Sequence, residues 1–125
     1  MGVGAITQRE QDPVAALEPL ALMREALARA GEDCGSRALL GRADWVRVPR
    51  GFWDYADPGR ALAEAVGAAS AKTEIAEIGV LQTTLLGDSA RAIAAGEADV
   101  LVIAGGEARA RAMRAAQRGV AAPLT

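Results

Sequence analysis

The chain has 125 residues, 51% apolar and 24% charged, which suits one globular domain with a single core. Fourteen basic and sixteen acidic residues leave a formal charge of -2, which gives no field that would attract nucleic acid or anionic lipid. Apolar runs fall short of the ~18 residues that span a bilayer, and no secretion-signal pattern is visible, so we expect a cytoplasmic protein without nucleic-acid or membrane partners.

The first residues are predicted to form a strand followed by a helix. Residues 2–7 are strand-like. Asp12 and Pro13 offer a helix cap and a first-turn proline. A proline inside a helix lacks the N–H group that the position needs, so we favour a main helix that starts at Pro19 and ends at Gly31. Its apolar residues recur at helical spacing: Leu20, Met23, Leu27 and Ala30.

The middle of the chain repeats this alternation. Residues 43–48 alternate as in a strand, which Pro49 closes. A second cap and proline at Asp57 and Pro58 start a short helix that ends at Gly67. A further strand is predicted from Thr73 to Ile78, and its two glutamates, at positions 74 and 77, indicate a sheet edge or an interface.

The last third is predicted to contain a buried helix, a central strand and a solvated helix. Residues 80–95 have apolar or small side chains on most helical faces. Residues 100–104 form a continuous aliphatic run, typical of a strand covered on both faces. Residues 107–118 are helical and rich in arginine, and residues 120–125 are predicted to be a disordered tail. Alternating strands and helices with short connections predict an α/β fold, a three-layer sandwich with a mostly parallel sheet.

Few residues suggest chemistry by themselves. Gly2 and Gly4 begin a dinucleotide fingerprint, but Thr7 stands where its third glycine belongs. Cys34 is a possible nucleophile, but the chain has no histidine to activate it, and an ordinary loop cysteine is the better interpretation. Ser89 lacks triad partners, so we expect its hydroxyl to bond to a carbonyl one turn earlier. The carboxylates form no metal or acid/base spacing: Asp54, Asp57, Glu74 and Glu77.

Two surface features leave alternatives open. The arginines of residues 109–118 suit an acidic partner or coenzyme phosphates, although a solvated helix face is the favoured interpretation. The aromatic residues lie in one short stretch, and core packing is favoured over a partner surface: Trp45, Phe52, Trp53 and Tyr55.

Two stretches of the chain resemble the thiolase superfamily. Residues 92–100, AIAAGEADV, continue into AGGE at 104–107, similar to the family's buried helix, its GEADV turn, its central strand and its AGG-E ending. The succession of GVGAITQ at 2–8, LEPL at 17–20 and DPGR at 57–60 is similar to a sterol-carrier-like branch described as acetyl-CoA acetyltransferase. The resemblance extends to about Gly119.

The resemblance implies an acyl-CoA acyltransferase of lipid metabolism, usually dimeric, built from two similar halves. Residues 1–119 would form an incomplete, truncated N-terminal half. The family's nucleophilic cysteine begins the buried helix, and counting back from Gly96 places that position at or next to Gly79, where no cysteine stands. The family's histidine, second cysteine and oxyanion-hole groups belong to the other half. We therefore expect no catalytic residue, no metal and no bound cofactor here, with coenzyme A thioesters as the family's substrate.

Two interpretations remain open. In the first, the chain is the N-terminal fragment of a thiolase-like acyltransferase and is inactive alone. In the second, it is a non-catalytic scaffold that forms a homodimer or docks on a partner subunit through the strand from Thr73 to Ile78. A generic α/β ligand-binding domain is disfavoured, because the chain has no phosphate-loop signature.

Overall fold

A computed structural model describes residues 1–125. In chain order, its elements are α1 (Pro19–Asp33), a short 3-10 helix (Arg37–Arg42), β1 (Trp45–Pro49), α2 (Pro58–Ala65), β2 (Lys72–Ala76), α3 (Gln82–Ala94), β3 (Leu101–Ile103) and α4 (Arg109–Arg118). These bounds confirm the positions of the predicted helices, including the start at Pro19, and of the last three predicted strands. The prediction that α3 is a buried helix was wrong: Leu85, Ser89 and Ala92 are its buried residues, while Leu86 and Ile93 are exposed. The 3-10 helix was not predicted.

The three strands are parallel, in the order β2-β1-β3. Val46 and Val48 of β1 are fully buried in a core that includes residues of α1 and α2. Arg47 lies between them in sequence and therefore points to the opposite face, where its guanidinium bonds to Ser89 of α3. Helices thus cover both faces of the sheet, and the α/β three-layer prediction is confirmed.

The core is built mostly from aliphatic residues that the helical and strand spacings predicted. Met23 and Leu62 are fully buried, and Leu20 is 2% exposed. Each of these side chains contributes roughly 1.5–3 kcal/mol relative to an exposed position. Alanines fill much of the remaining space, so the helices approach the sheet closely: Ala43, Ala63, Ala68, Ala71 and Ala104.

The strand predicted for residues 2–7 is absent, so that prediction was wrong. A β-carbon on Gly2 would lie 2.1 Å from the carbonyl oxygen of Ala30, and Gly4 is equally close to α1. The N–H of Val3 donates to Asp33 at 2.8 Å instead of to a strand. The segment lies along α1, and the absence of side chains at Gly2 and Gly4 permits this close approach.

Asp44 joins the starts of all three strands. Its side-chain oxygen Oδ2 accepts the N–H groups of Asp99 at 2.8 Å and Val100 at 3.0 Å. Its backbone N–H donates to Val100, and its carbonyl accepts the N–H of Lys72, both at 2.8 Å. The side-chain bonds hold the pKa of Asp44 below its usual value. Asp44 therefore sets the position of the GEADV segment before β3.

The last residues, 120–125, form no helix or strand. Arg111 donates to the carbonyls of Ala122 and Pro123, both at 3.2 Å. Thr125 donates to the carboxylate of Glu18 through its backbone N–H, at 2.7 Å, and through its hydroxyl. The predicted disorder of this segment stays a prediction.

Candidate functional site

Gly79, the position that the resemblance assigns to a nucleophile, lies in the exposed turn between β2 and α3. Its φ of +105° is a conformation that side-chain-bearing residues rarely adopt, and no atom lies within 4 Å of the place of a β-carbon. The N–H of Val80 closes the turn on the carbonyl of Glu77 at 3.1 Å. Helix α3 begins at Gln82, after Leu81, which makes no side-chain cap.

The single cysteine lies elsewhere, at the carboxyl end of α1. Cys34 is half-buried, and its thiol donates to the carbonyl of Gly31 at 3.2 Å. A helix dipole favours an anion at its amino end, and Cys34 is at the opposite end. Cys34 follows the last helical residue of α1, which agrees with the predicted ordinary loop cysteine, and no cysteine stands at the start of α3.

Ser89 is buried on α3, and its hydroxyl donates to the carbonyl of Leu85, one turn earlier, at 2.7 Å. This bond confirms the expected local role. The same oxygen accepts a bond from Arg47 at 3.0 Å, which sequence reasoning missed. The alternation of strand β1 was the only signal that Arg47 and α3 share a face of the sheet.

Arg47 is a buried cation in the middle of the sheet, with 8% of its surface exposed. Its guanidinium stacks on Trp45 at 4.5 Å from the ring centre. Its Nε atom lies 3.0 Å from a carboxylate oxygen of Glu74, but this N–H makes no well-directed hydrogen bond. The charge is therefore only partly compensated, and Arg47 fastens α3 to the sheet through polar contacts.

The aromatic stretch contributes to the core, as predicted, but not with every residue. Trp53 and Tyr55 are buried with their ring centres 5.2 Å apart, and the Trp53 indole N–H donates to Gly106 at 3.1 Å. Phe52, in contrast, is 73% exposed and lies under the guanidinium of Arg109 at 5.0 Å. The aromatic cluster is thus mainly packing, with one exposed ring.

Tyr55 and Glu18 form a polar pair beside the start of α1. The Tyr55 hydroxyl donates to Glu18 at 2.8 Å and accepts the N–H of Leu20 at 3.2 Å. Burial, together with the Glu18 carboxylate, raises the pKa of Tyr55 to about 12. Burial also acts to raise the pKa of Glu18, but bonds from Thr125 and Tyr55 outweigh it and lower that pKa. The pair anchors the aromatic stretch to the start of α1.

Helix α4 is largely solvated, as predicted, since Ala115 is its one buried residue, but three of its arginines also contact the chain itself. Arg111 donates to the carbonyl of Ala16 and Arg114 to that of Glu10, at 3.0 and 2.9 Å. Arg118 lies 3.8 Å from Asp12. These contacts hold the loop before α1, because guanidinium groups bond readily to backbone carbonyls.

The carboxylates do not form a metal site. Asp57 caps α2 through the N–H of Arg60 and accepts the hydroxyl of Thr73, at 2.9 and 2.8 Å. No group of three or more Asp, Glu, Cys or His side chains is placed to hold a metal ion. Asp57 is therefore a capping residue.

A cleft of about 750 Å³ opens beyond the carboxyl ends of β1 and β3. Its walls combine the segments after both strands, the amino-terminal segment, and the facing sides of α1 and α3. The aliphatic lining includes Leu27, Leu86, Ile93, Leu101 and Ile103. Sequence reasoning did not find this cleft, because its lining residues come from distant parts of the chain.

A solved structure has the same architecture. The crystal structure of a monomeric SCP2-thiolase like protein type 1 from Mycobacterium smegmatis superposes with a TM-score of 0.72 and 30% sequence identity, over 86% of this chain. The chain has a thiolase-like fold. This thiolase-like chain spans 22% of the length of that structure. No protein-family model and no curated protein matches it.

The thiolase-like chain contains no helix that is long and apolar enough to cross a membrane. The fold expected from the resemblance is confirmed. That this chain carries no catalytic residue stays a prediction.

Proposed function

We propose that this thiolase-like chain is an N-terminal fragment of a cytoplasmic acyl-CoA acyltransferase of lipid metabolism, of the acetyl-CoA acetyltransferase type, and that it transfers no acyl group alone. The thiolase-like fold supports the acyl-CoA class. The absence of turnover rests on Gly79, which stands where the resemblance expects a cysteine and has a backbone that disfavours one.

Acyl transfer of this kind needs a thiolate, a base that activates it and donors that stabilise the developing oxyanion. The chain has no histidine, and its one thiol is at the far end of α1. Each missing group is worth about 10²-fold or more in rate. Their combined loss predicts turnover at the level of the uncatalysed reaction.

The test is thiolysis of acetoacetyl-CoA by coenzyme A, followed by the loss of substrate absorbance with the purified chain. We expect the rate to equal that of buffer. The Cys34→Ser variant is the matched control, because it removes the only thiol. A rate above buffer that disappears in this variant would show that the chain is an acyltransferase by itself and would overturn the proposal.

A second function has support from the sheet. Strand β2 is at an edge, with β1 on one side and no strand on the other. The backbone groups of residues 72 and 76 bond to residues beside β1. Because backbone direction alternates along a strand, the N–H and C=O groups of Ile75 point to the free edge. We propose that a homodimer or a partner subunit pairs with this edge, as the sequence from Thr73 to Ile78 predicted.

Sedimentation velocity of the chain and of its Ile75→Pro variant tests this pairing. The proline removes an N–H that makes no bond to β1, so the sheet should persist while edge pairing is lost. We expect a concentration-dependent dimer that the variant abolishes. A wild-type monomer at high concentration, or a dimer unchanged by the variant, would rule out self-pairing through β2.

A further inference from the structure

The free edge of strand β2 has a charge pattern that is complementary to itself. Lys72 and Glu74 lie two residues apart and therefore point to the same face of the sheet. Lys72 is exposed and forms no ion pair within the chain. The side chain of Glu74 is 52% exposed, and one of its oxygens lies 3.0 Å from Arg47. Because a carboxylate accepts several hydrogen bonds, Glu74 can take a second cation beside Arg47.

Backbone geometry limits how two copies of β2 can pair. The N–H and C=O groups of residues 73 and 75 point away from β1, whereas residues 72, 74 and 76 bond to it. Two copies related by a two-fold axis run antiparallel, and their outward-pointing residues must lie opposite each other. If the opposed residues lie inside the strand, the axis passes at Thr73, Glu74 or Ile75.

The side chains distinguish these three registers. An axis at Glu74 puts this carboxylate opposite its own copy, and like charges that face each other destabilise a strand pair. An axis at Ile75 puts Lys72 opposite Ile78, which lies beyond the end of the strand and offers no negative charge. An axis at Thr73 puts the lysine of each copy opposite the glutamate of the other, which makes two opposite-charge pairs.

We propose that the chain forms a two-fold dimer in which β2 pairs with its copy about Thr73, with ion pairs between Lys72 and the partner's Glu74. Directly opposed side chains of an antiparallel pair have Cβ atoms about 4.5–5.5 Å apart, which is within the reach of lysine and glutamate. The two Thr73 residues exchange backbone hydrogen bonds at the axis. The dimer depends on the pairing proposed above for the β2 edge, and a second copy of this chain is the partner.

Sedimentation velocity of charge variants tests the two ion pairs. Lys72→Glu turns both attractive pairs into repulsive ones and leaves the contact of Glu74 with Arg47 in place. We expect the dissociation constant of the dimer to rise about tenfold or more. Lys72→Arg keeps the positive charge and is the matched control, with a dissociation constant expected within about threefold of the wild type.

Exchanging the two charges tests the register. Glu74→Lys alone should weaken the dimer as Lys72→Glu does. The double variant Lys72→Glu/Glu74→Lys rebuilds both pairs in reverse and should return to within about threefold of the wild type. An axis at position 74 predicts no such recovery, because two lysines would then face each other. Far-UV circular dichroism shows whether each variant is folded, and Lys72→Glu decides by itself if Glu74→Lys is not.

Lys72 is the only lysine of the chain, so a carbodiimide cross-link between amine and carboxylate can locate the contact directly. Mixing isotope-labelled with unlabelled chains separates links between copies from links within one copy. We expect a mixed-label pair of peptides joined between Lys72 and Glu74.

The outcomes separate the register from the edge pairing itself. A wild-type chain that stays monomeric, or a dimer that survives in Ile75→Pro, would overturn this dimer together with self-pairing through β2. A dimer that Ile75→Pro abolishes and Lys72→Glu leaves unchanged would overturn the register alone, and the pairing at the edge would stand. A folded double variant without recovery, or links from Lys72 to carboxylates other than Glu74, would also overturn the register.

Discussion

Replacing Arg47 should separate the packing of this residue from its charge. Arg47→Ala removes the bond to Ser89, the stacking on Trp45 and the packing of a buried aliphatic stem. A bond from a charged donor is worth about 1.5–3 kcal/mol and a stacked cation about 0.5–2 kcal/mol, partly offset by relief of a buried charge. We expect a net loss of about 2–4 kcal/mol in the free energy of unfolding.

Arg47→Met keeps an unbranched side chain of similar length and removes the charge. The buried charge is poorly compensated, because Glu74 has a side chain that is 52% exposed and Nε lacks a well-directed bond. The methionine variant should therefore stay within about 1 kcal/mol of the wild type. Ser89 keeps its bond to Leu85, so the substitution leaves its hydroxyl satisfied.

The assay is urea unfolding followed by circular dichroism. With an m-value of about 2 kcal/mol/M, the alanine variant should lower the midpoint by about 1–2 M. Arg91→Ala is the matched control, because this arginine of α3 has a side chain that is 72% exposed and should change stability by no more than about 0.5 kcal/mol. A methionine variant as unstable as the alanine variant would refute the reasoning, since the polar contacts would then outweigh the buried charge.

Three further predictions follow from single positions. Gly79→Ala should lower the free energy of unfolding in urea by about 1–3 kcal/mol, because alanine is strained at the positive φ of this position. Gly87→Ala, inside α3, should raise it by about 0.5–1 kcal/mol, because glycine is unfavourable in a helix interior. Equal effects of the two variants would contradict this prediction. The lowered pKa of Asp44 adds stability that is present above the unfolded pKa of about 3.8 and is lost as the pH falls through the folded pKa. Asp44→Ala should therefore make the urea midpoint depend less on pH in this acid range. An unchanged pH dependence would show that the bond from Val100 to Asp44 does not contribute. The raised pKa of Tyr55 means that its hydroxyl holds the proton more tightly in the folded chain than in the unfolded chain, so the free energy of unfolding should fall between pH 10 and about 12. Ultraviolet titration of the folded chain should show this tyrosine ionising near 12 instead of near 10.

The sequence predicts the fold well where local patterns and core packing agree. The helical spacing of Leu20, Met23 and Leu27 identified α1, and the proline rule placed its start at Pro19. The run from Val100 identified β3, but the predicted cover on both faces was wrong, because Val102 is buried while Leu101 and Ile103 are half-buried. In each case the period of apolar residues is the same quantity that decides burial, so a local pattern was sufficient.

The prediction was wrong at residues 2–7, where strand propensity and tertiary packing disagree. The alternation that suggested a strand puts Gly2 and Gly4 on one side of an extended segment, and this side lies against α1 instead of pairing with a strand. Propensity describes whether a segment is extended, but not what its backbone bonds to. The missing β-carbons were the only local signal of this close approach.

The site features that sequence reasoning missed are those that depend on contacts between distant residues. Arg47 and Ser89 are 42 residues apart, and Asp44 and Val100 are 56 apart. The cleft likewise joins residues of α1, α3 and the ends of two strands. A single sequence contains no direct record of such pairs, so the topology of the sheet had to be known first.

The most direct test of the proposal that this chain transfers no acyl group alone is its intact mass after incubation with acetyl-CoA. A thiolate that attacks acetyl-CoA keeps the acetyl group as a thioester and releases coenzyme A, so an acylated chain gains the mass of one acetyl group. Because Gly79 stands at the expected nucleophile position and Cys34 ends α1, we predict an unchanged mass. An acetyl adduct that hydroxylamine removes and Cys34→Ser prevents would contradict the account, since the chain would then carry its own nucleophile.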